Sequence, residues 1–316
     1  MAKERLYSID PGAPFLATLS QAVLSGAIFP EISRDNGPLA LAGATIYVPT
    51  QRAARALKAQ FAADFGGALL LPRIAPLGAL DDSETRALFD VPENLFEFGD
   101  DIPEAIGELE RRMQLMRLVL GWSEAVRHAI VSVDAAGRRF TDETEALLVA
   151  ATPADAFQLA GALASLIDEM IVENIPWEKL PSLNNNLHDD YWRITLDFLA
   201  IAFKAWPERL TELGKVDHAS RQAKLIERDI ARLRKGGGGP VIVAGSTGVQ
   251  SATARLMAAV AASPQGAIVL PGLDLGLDAD AFAMIGDGAD ADANASHPQA
   301  ALRRLLHLLG KDRKAF

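Results

Sequence analysis

Apolar positions recur in two rhythms along this chain, and the change between them divides it. Arg5 to Ile9 reads as a short strand, closed by a tight turn at Asp10-Pro11-Gly12, and helical spacing follows from about Pro14 to Ala27. Ala44-Thr45-Ile46-Tyr47-Val48 is a β-branched run that stops at Pro49. Thr50 then stands as the N-cap of a helix, QRAARALKAQFAADF, which Gly66 and Gly67 end. Ala68 to Leu71 is a third apolar run, stopped by Pro72. Strands alternating with helices predict parallel β-units.

From about Asp101 the strand signals disappear. Thr152-Pro153-Ala154-Asp155 puts a cap, a proline at the first helical position and an acid at the third in order, which starts a helix. Phe157, Ala160, Ala164, Ile167 and Ile171 then repeat at helical spacing. Another helix is expected from about Asp189 to Trp206, with Trp192, Leu196, Leu199 and Phe203 on one face and Pro207 directly after it; a further one covers Asp217 to Lys235. Gly236 to Gly239 is a glycine tether, beyond which α/β character returns. Val241-Ile242-Val243 and Ala267-Ile268-Val269-Leu270 read as buried strands, separated by a helix from about Gln250 to Ala262. The expectation is one α/β domain made from residues 1–90 and 236–316, interrupted by an all-helical insertion over 91–235. The acidic, Gly/Ala-rich stretch from Gly286 to Ser296 reads as a surface loop.

Composition narrows the function classes. The chain has 316 residues and 49% hydrophobic content, enough for a sizeable core and, by length, for two domains. It holds no long uncharged apolar run of membrane-span length, and MAKERLYSID has no apolar segment of a secretory signal. A cytoplasmic location is expected. The absence of cysteine excludes disulfides, thiolate metal sites and a cysteine nucleophile in this segment. A net charge of −10 argues against a protein that simply coats nucleic acid, while leaving room for a local basic groove.

The first strand, turn and helix stand in the order of a P-loop, in which backbone N–H groups cradle phosphates and a Lys and a Ser/Thr complete the site. Here those residues are missing. No Lys lies between Arg5 and Arg34, and the turn has one glycine. Asp10, Pro11, Gly12 and Ala13 are therefore degenerate nucleotide-site positions. Ala244 and Gly245 stand at a later strand end, where the magnesium-binding acids of such proteins sit. ATP hydrolysis is not expected, and no catalytic residue, metal or cofactor is assigned to this segment. Thr50, Gln51, Arg52 and Arg55, with Lys58 further along, form a strand-to-helix junction able to meet a phosphate backbone. The alternative is a capped surface helix with solvated charges.

Two further patterns bear on chemistry. Ala244-Gly245-Ser246-Thr247-Gly248 approaches the G-x-S-x-G nucleophile elbow, and Asp274 and His297 follow in hydrolase order. No HGGG-like oxyanion segment precedes it, so a hydrolase is the lesser alternative, beside an atypical ATPase. Arg221, Lys224, Arg228, Arg232 and Lys235 line one helical face; a solvated face balanced by Glu227 and Asp229 is expected, with a phosphate stripe as the other reading. The histidines show no metal-ligand spacing, and Trp122, Trp177, Trp192 and Trp206 read as core.

Taken in order, IDPGAPFLATL, ATIYVPTQRAARALKAQF, ALLLPRIAPLG, TLDFLAIAFKAWP and GPVIVAGSTGVQSATARLMAAVAASPQGAIVLPGLD resemble AddB of the alphaproteobacterial type. The match extends through His297-Pro298-Gln299 and the LRRLLHLLG helix. AddB is a subunit of the AddAB helicase–nuclease, which processes double-strand DNA breaks for recombination. The resemblance implies a P-loop helicase-like parallel sheet with a degenerate site and a large helical insertion, forming an N-terminal piece of a longer subunit. It implies that the family's nuclease domain, and the iron–sulfur cluster of some branches, lie outside this chain. It also implies that Thr50-Gln51-Arg52 occupies the place of a DNA-contacting motif, and that ATP and magnesium are used by an AddA-type partner. The role implied is scaffolding, DNA guiding or sequence sensing; a pure interaction module without DNA contact is the alternative.

Overall fold

The computed structural model describes residues 4–66, 68–77, 102–129, 132–133, 139–140, 152–177, 179, 190–236, 238–285 and 296–316. Its contacts divide the chain into two units, Met1–Pro92 with Lys224–Phe316, and Glu93–Ala223. In chain order the elements begin with β1 (Leu6–Ile9), α1 (Phe15–Leu24), β2 (Thr45–Val48), α2 (Gln51–Phe65) and β3 (Arg73–Pro76). Then come α3 (Glu108–Ala129), β4 (Ser132–Val133), β5 (Arg139–Phe140), α4 (Pro153–Val172), α5 (Asp190–Ala200) and α6 (Trp206–Leu213). The last are α7 (His218–Arg234), β6 (Val241–Ala244), α8 (Ser251–Ala262), β7 (Gly266–Pro271), α9 (Ala279–Met284) and α10 (Ala300–Leu309).

The first unit is built on a five-stranded sheet in the order β1-β7-β6-β2-β3, with every pairing parallel. Val241 of β6 lies opposite Thr45 of β2, so strands from the two ends of the chain share one sheet. Because successive residues of a strand face opposite sides, each strand feeds two cores. Ile46 and Ile242 face α1 and α2, packing with Leu19, Val23, Leu57 and Phe61. Tyr47, Val243 and Ile268 face the other way, against Ile226 and Ile230 of α7, Leu256 and Val260 of α8 and Leu305 of α10. The central strand β6 is buried along its whole length, which is why it reads as an unbroken apolar run rather than an alternating one.

Local signals hold where side-chain chemistry fixes them. Thr50 Oγ1 accepts the Ala53 N–H at 3.1 Å and starts α2, and Gly66 ends it in the left-handed conformation. Thr152 and Asp155 form a reciprocal capping box at the start of α4. Other expectations need correction. The third strand is not Ala68–Leu71 but Arg73–Pro76: Pro72 has no N–H to give the ladder, and pairing begins after it, with the Arg73 N–H donated to Ala44 O at 2.9 Å. Prolines on both sides are tolerated because β3 is an edge strand. Pro14 is the N-cap of α1 rather than its first residue, and that helix stops at Leu24.

The second unit is helical but not wholly so, since β4 and β5 pair antiparallel, Ser132 opposite Phe140. Its core joins Leu115 and Val119 of α3, Ala160, Leu163 and Ile167 of α4, and Trp206 and Leu210 of α6. On α4 Ala160 and Ile167 are buried as expected, while the other buried positions are Ala156, Leu163 and Met170, each one residue before the expected Phe157, Ala164 and Ile171; Phe157 lies under the Arg112 guanidinium, 4.0 Å from the ring centre. Pro207 does not end the helix that begins at Asp190. A π-helical turn over Ile201–Ala205 intervenes, the Trp206 N–H reaches back to Ile201 O, and α6 continues to Leu213 with Pro207 in its first turn. The proline falls where its missing N–H removes least. The division between units falls within α7 rather than at the glycine tether. The acidic stretch 286–295 lies outside the described residues, as does the side chain of Trp192.

Candidate functional site

All five strands of the sheet run the same way, so the turns after β1, β2, β6 and β7 open on one edge. The connection leaving β2 puts α2 on one face, whereas the connection leaving β6 puts α8 on the other. The gap between their ends is the place where open α/β sheets bind ligands. Here the gap is filled. Gly245 has φ of 77°, and a side chain there would meet the Phe15 ring at 3.2 Å and Pro49 Cδ at 3.5 Å. Gly272, at the end of β7, lies in the same way against Pro11, with φ of 65° and a contact at 3.2 Å.

The turn after β1 is closed by its own residues. Asp10 Oδ1 accepts the Gly12 N–H at 2.8 Å, and Asp10 O accepts the Ala13 N–H at 3.0 Å. Pro11 and Pro14 have no N–H at all. Two of the N–H groups of this turn, those of Gly12 and Ala13, are thus turned onto Asp10, and the two prolines offer none. Asp10, Pro11, Gly12, Ala13 and Gly245 come together at this edge, with Ala244 fully buried beneath it. The Asp-Pro-Gly order is a turn signal in which the acid bonds its own backbone two residues on; that detail was legible in the sequence.

The turn after β2 is different. Thr50 uses its oxygen as a cap, Gln51 is half-buried and has a polar partner of its own, and Arg52 and Arg55 are exposed. Neither arginine has an ion-pair partner among the described residues. Lys58 is half-buried, and burial together with the neighbouring Arg55 charge lowers its pKa. Ala54, Leu57 and Phe61 anchor the opposite side of the helix. Cations at a helix start oppose the macrodipole, which favours acids there by about 0.3–1 kcal/mol each. The only acid of α2, Asp64, lies in its last turn, so the charge order of this helix is reversed from the one that would stabilise it.

The hydrolase-like residues are each engaged locally. Ser246 is buried and its Oγ accepts the Gly248 N–H at 3.2 Å. Asp274 Oδ1 accepts the N–H groups of Gly276 and Leu277, and His297 Nδ1 accepts that of Gln299. No hydrogen bond joins the three among the described residues. The basic face of α7 also differs from expectation: Arg221 is buried and donates to Pro103 O at 3.0 Å, Arg228 is half-buried, and Lys224, Arg232 and Lys235 are exposed.

Two buried polar pairs had no signal in the residue pattern. Tyr47 donates to Asp229 Oδ2 at 2.6 Å, and burial, followed by the Asp229 charge, raises its pKa far above the ordinary value. In the helical unit Asp217 is buried, and Trp206 Nε1 donates to both its oxygens at 3.1 and 3.0 Å. Arg111 Nε lies 2.8 Å from Asp217 Oδ1, close enough for an ion pair but not aligned for a hydrogen bond, while its Nη1 donates to Asp168 at 2.8 Å. Desolvation raises the Asp217 pKa despite Arg111. Trp206 is core, as expected, while Trp122 and Trp177 are half-buried at its margin.

Among the described residues no group of three potential metal ligands occurs and no helix is long and apolar enough to cross a membrane. No protein-family model and no curated protein matches the chain.

Proposed function

We propose that this chain is a non-catalytic, helicase-like segment of a DNA double-strand break repair subunit resembling AddB, working in the cytoplasm beside an AddA-type partner that supplies ATP chemistry. In this reading its α/β unit guides or senses DNA, and its helical unit acts as scaffold. One observation carries it: Arg52 and Arg55 stand exposed, without an ion-pair partner among the described residues, at the start of α2 on the strand-end edge, where the helix dipole opposes them. Phosphate supplies the negative charge they lack. The Asp10–Pro14 turn supports the non-catalytic half of the reading, since it carries no Lys and spends the Gly12 and Ala13 N–H groups on Asp10.

The test is single-stranded DNA binding by the whole chain across a salt series, wild type against Arg52→Ala/Arg55→Ala. Affinity is weak at physiological salt, because the net charge of −10 repels a polyanion and phosphate contacts are salt-sensitive. At low salt the double variant loses affinity and shows a shallower salt slope. Equal affinity and slope in both proteins would remove DNA from the reading and leave an interaction module. Steady ATP turnover abolished by changing Pro11 or Gly12 would overturn the non-catalytic part.

A further inference from the structure

The sheet edge opposite the candidate site holds a cavity that the proposed function does not use. A helix that follows a strand of a parallel sheet runs back to the strand-start edge, so α1 and α2 both end there. Where these ends meet the turn Arg34–Asn36 lies an open cavity of about 460 Å³, lined by Gln21, Leu24, Ser25, Arg34, Asp35 and Asp64. Its volume falls in the range of small-molecule sites. The walls are held by contacts of their own. Asn36 Nδ2 donates to Pro30 O at 2.7 Å and to Ser33 Oγ at 3.2 Å, which fixes the turn carrying Arg34 and Asp35. The end of α1 lies close against that turn, since a side chain at Gly26 would meet Ser33 Cβ at 2.9 Å.

Two opposite charges on these walls are left without each other. The Arg34 guanidinium is positioned by Nη2, which donates to Asp64 O, and by the Phe65 ring, whose centre lies 5.7 Å from its Cζ. Its Nε and Nη1 have no partner among the described residues. Asp35, the next residue, is exposed and makes neither a hydrogen bond nor an ion pair among them. Asp64 is otherwise engaged: Oδ1 accepts from Gln60 at 2.9 Å and Oδ2 is buried. The Leu24 carbonyl, at the end of α1, receives no N–H among the described residues. Charge then decides which ligand fits. A plain anion would meet Asp35 and the negative ends of two helix dipoles. A plain ammonium ion would meet the fixed Arg34. A molecule carrying both charges satisfies both walls, its carboxylate on the open side of Arg34 and its ammonium on Asp35 and Leu24 O. We propose that this cavity binds a free α-amino acid, with Arg34 and Asp35 as the two recognising side chains. Gln21 and Leu24 are left to meet the side chain of the ligand.

The experiment presents each common α-amino acid in turn, at millimolar concentration, to the full chain and reads binding by saturation-transfer NMR and calorimetry. A binder is then compared with its decarboxylated amine and its deaminated acid, each lacking one charge. Asp35→Asn removes one contact and leaves the fold alone, because that carboxylate has no internal partner among the described residues. Arg34→Gln removes the other, and its unfolding midpoint reports the lost bond to Asp64 O. At least one amino acid is expected to bind, and each variant should weaken it about tenfold, the loss of one charged hydrogen-bonding partner. Both single-charge analogues should bind more weakly by at least as much. Binding by no amino acid overturns the proposal, as does an affinity unchanged in Asp35→Asn. An amine or an acid bound as tightly as its parent makes this a plain cation or anion site and overturns it too. The site does not involve α2 arginines or DNA, so its failure leaves the proposed function standing, and an Arg52→Ala/Arg55→Ala variant that binds DNA like wild type leaves this site standing.

Discussion

The two units of this molecule place their arginines in opposite ways. The helical unit sinks Arg111 between α3 and α4, flanked by Asp168 and Asp217, with Trp206 holding the second acid. The α/β unit keeps Arg52, Arg55, Lys224 and Lys235 outside and fills its interior with apolar side chains from both sheet faces. Buried charge that has partners is lost at high cost when one partner goes; exposed charge costs little to remove. The comparison therefore separates stability from binding. Substitutions in the first set should unfold the protein without touching ligand affinity, and those in the second should do the reverse.

The largest effect is expected at Asp217. Asp217→Ala leaves Arg111 and the Trp206 N–H short of a partner and should lower the stability of the helical unit by about 3–5 kcal/mol, read by chemical denaturation. An effect below about 1 kcal/mol would mean that the cluster is not a structural brace. The acid also has a pH signature. Its folded pKa lies above the ordinary value of 3.8, so the folded state holds the proton more tightly than the unfolded chain does. The stability it contributes is full below the unfolded value and is lost as pH rises through the folded one. The advantage of wild type over Asp217→Asn should thus narrow as pH climbs upward from about 3.8; a gap that widens contradicts the assignment.

Next in size is Tyr47→Phe, which removes the donor to Asp229 and leaves a half-buried carboxylate unsatisfied. The expected cost is about 1–3 kcal/mol, measured by the same denaturation curves. Thr50→Ala removes the cap of α2 and should cost about 1 kcal/mol. Retention of full stability in both would show that the β2 region is held by apolar packing alone.

How much of this was legible in the residues follows from the range of each interaction. Thr50, Thr152 and Gly66 act on neighbours a few positions away, so their helix boundaries could be read directly. The parallel strands could be read because burial on both faces leaves an apolar run. Strand β3 could not, because its position depends on Ala44 and Thr45 across the ladder, and the denser apolar run at Ala68–Leu71 outweighed Ile74-Ala75. The turn at Pro207 failed for a related reason. A π-turn widens the helix before the proline, and nothing in IAFKAWP marks it. At the candidate site, Asp10 through Ala13, Gly245 and Thr50 through Arg55 were identified from strand–turn–helix order, which also brings them to one edge. The Phe15 plug, and the pairing of Tyr47 with Asp229 at a separation of 182 residues, arise only from the packed sheet.

The smallest effect on stability belongs to the pair with the largest expected effect on binding, Arg52 and Arg55. Removing two cations from the start of α2 relieves an unfavourable dipole interaction and introduces alanine, so the unfolding midpoint should not fall. Single-stranded DNA affinity of the same protein at low salt should fall, with a shallower dependence on salt. Measuring both quantities on one Arg52→Ala/Arg55→Ala preparation tests the account most directly. Stability held and DNA binding weakened is the result predicted. Stability lost, or affinity and salt slope equal to wild type, would contradict it.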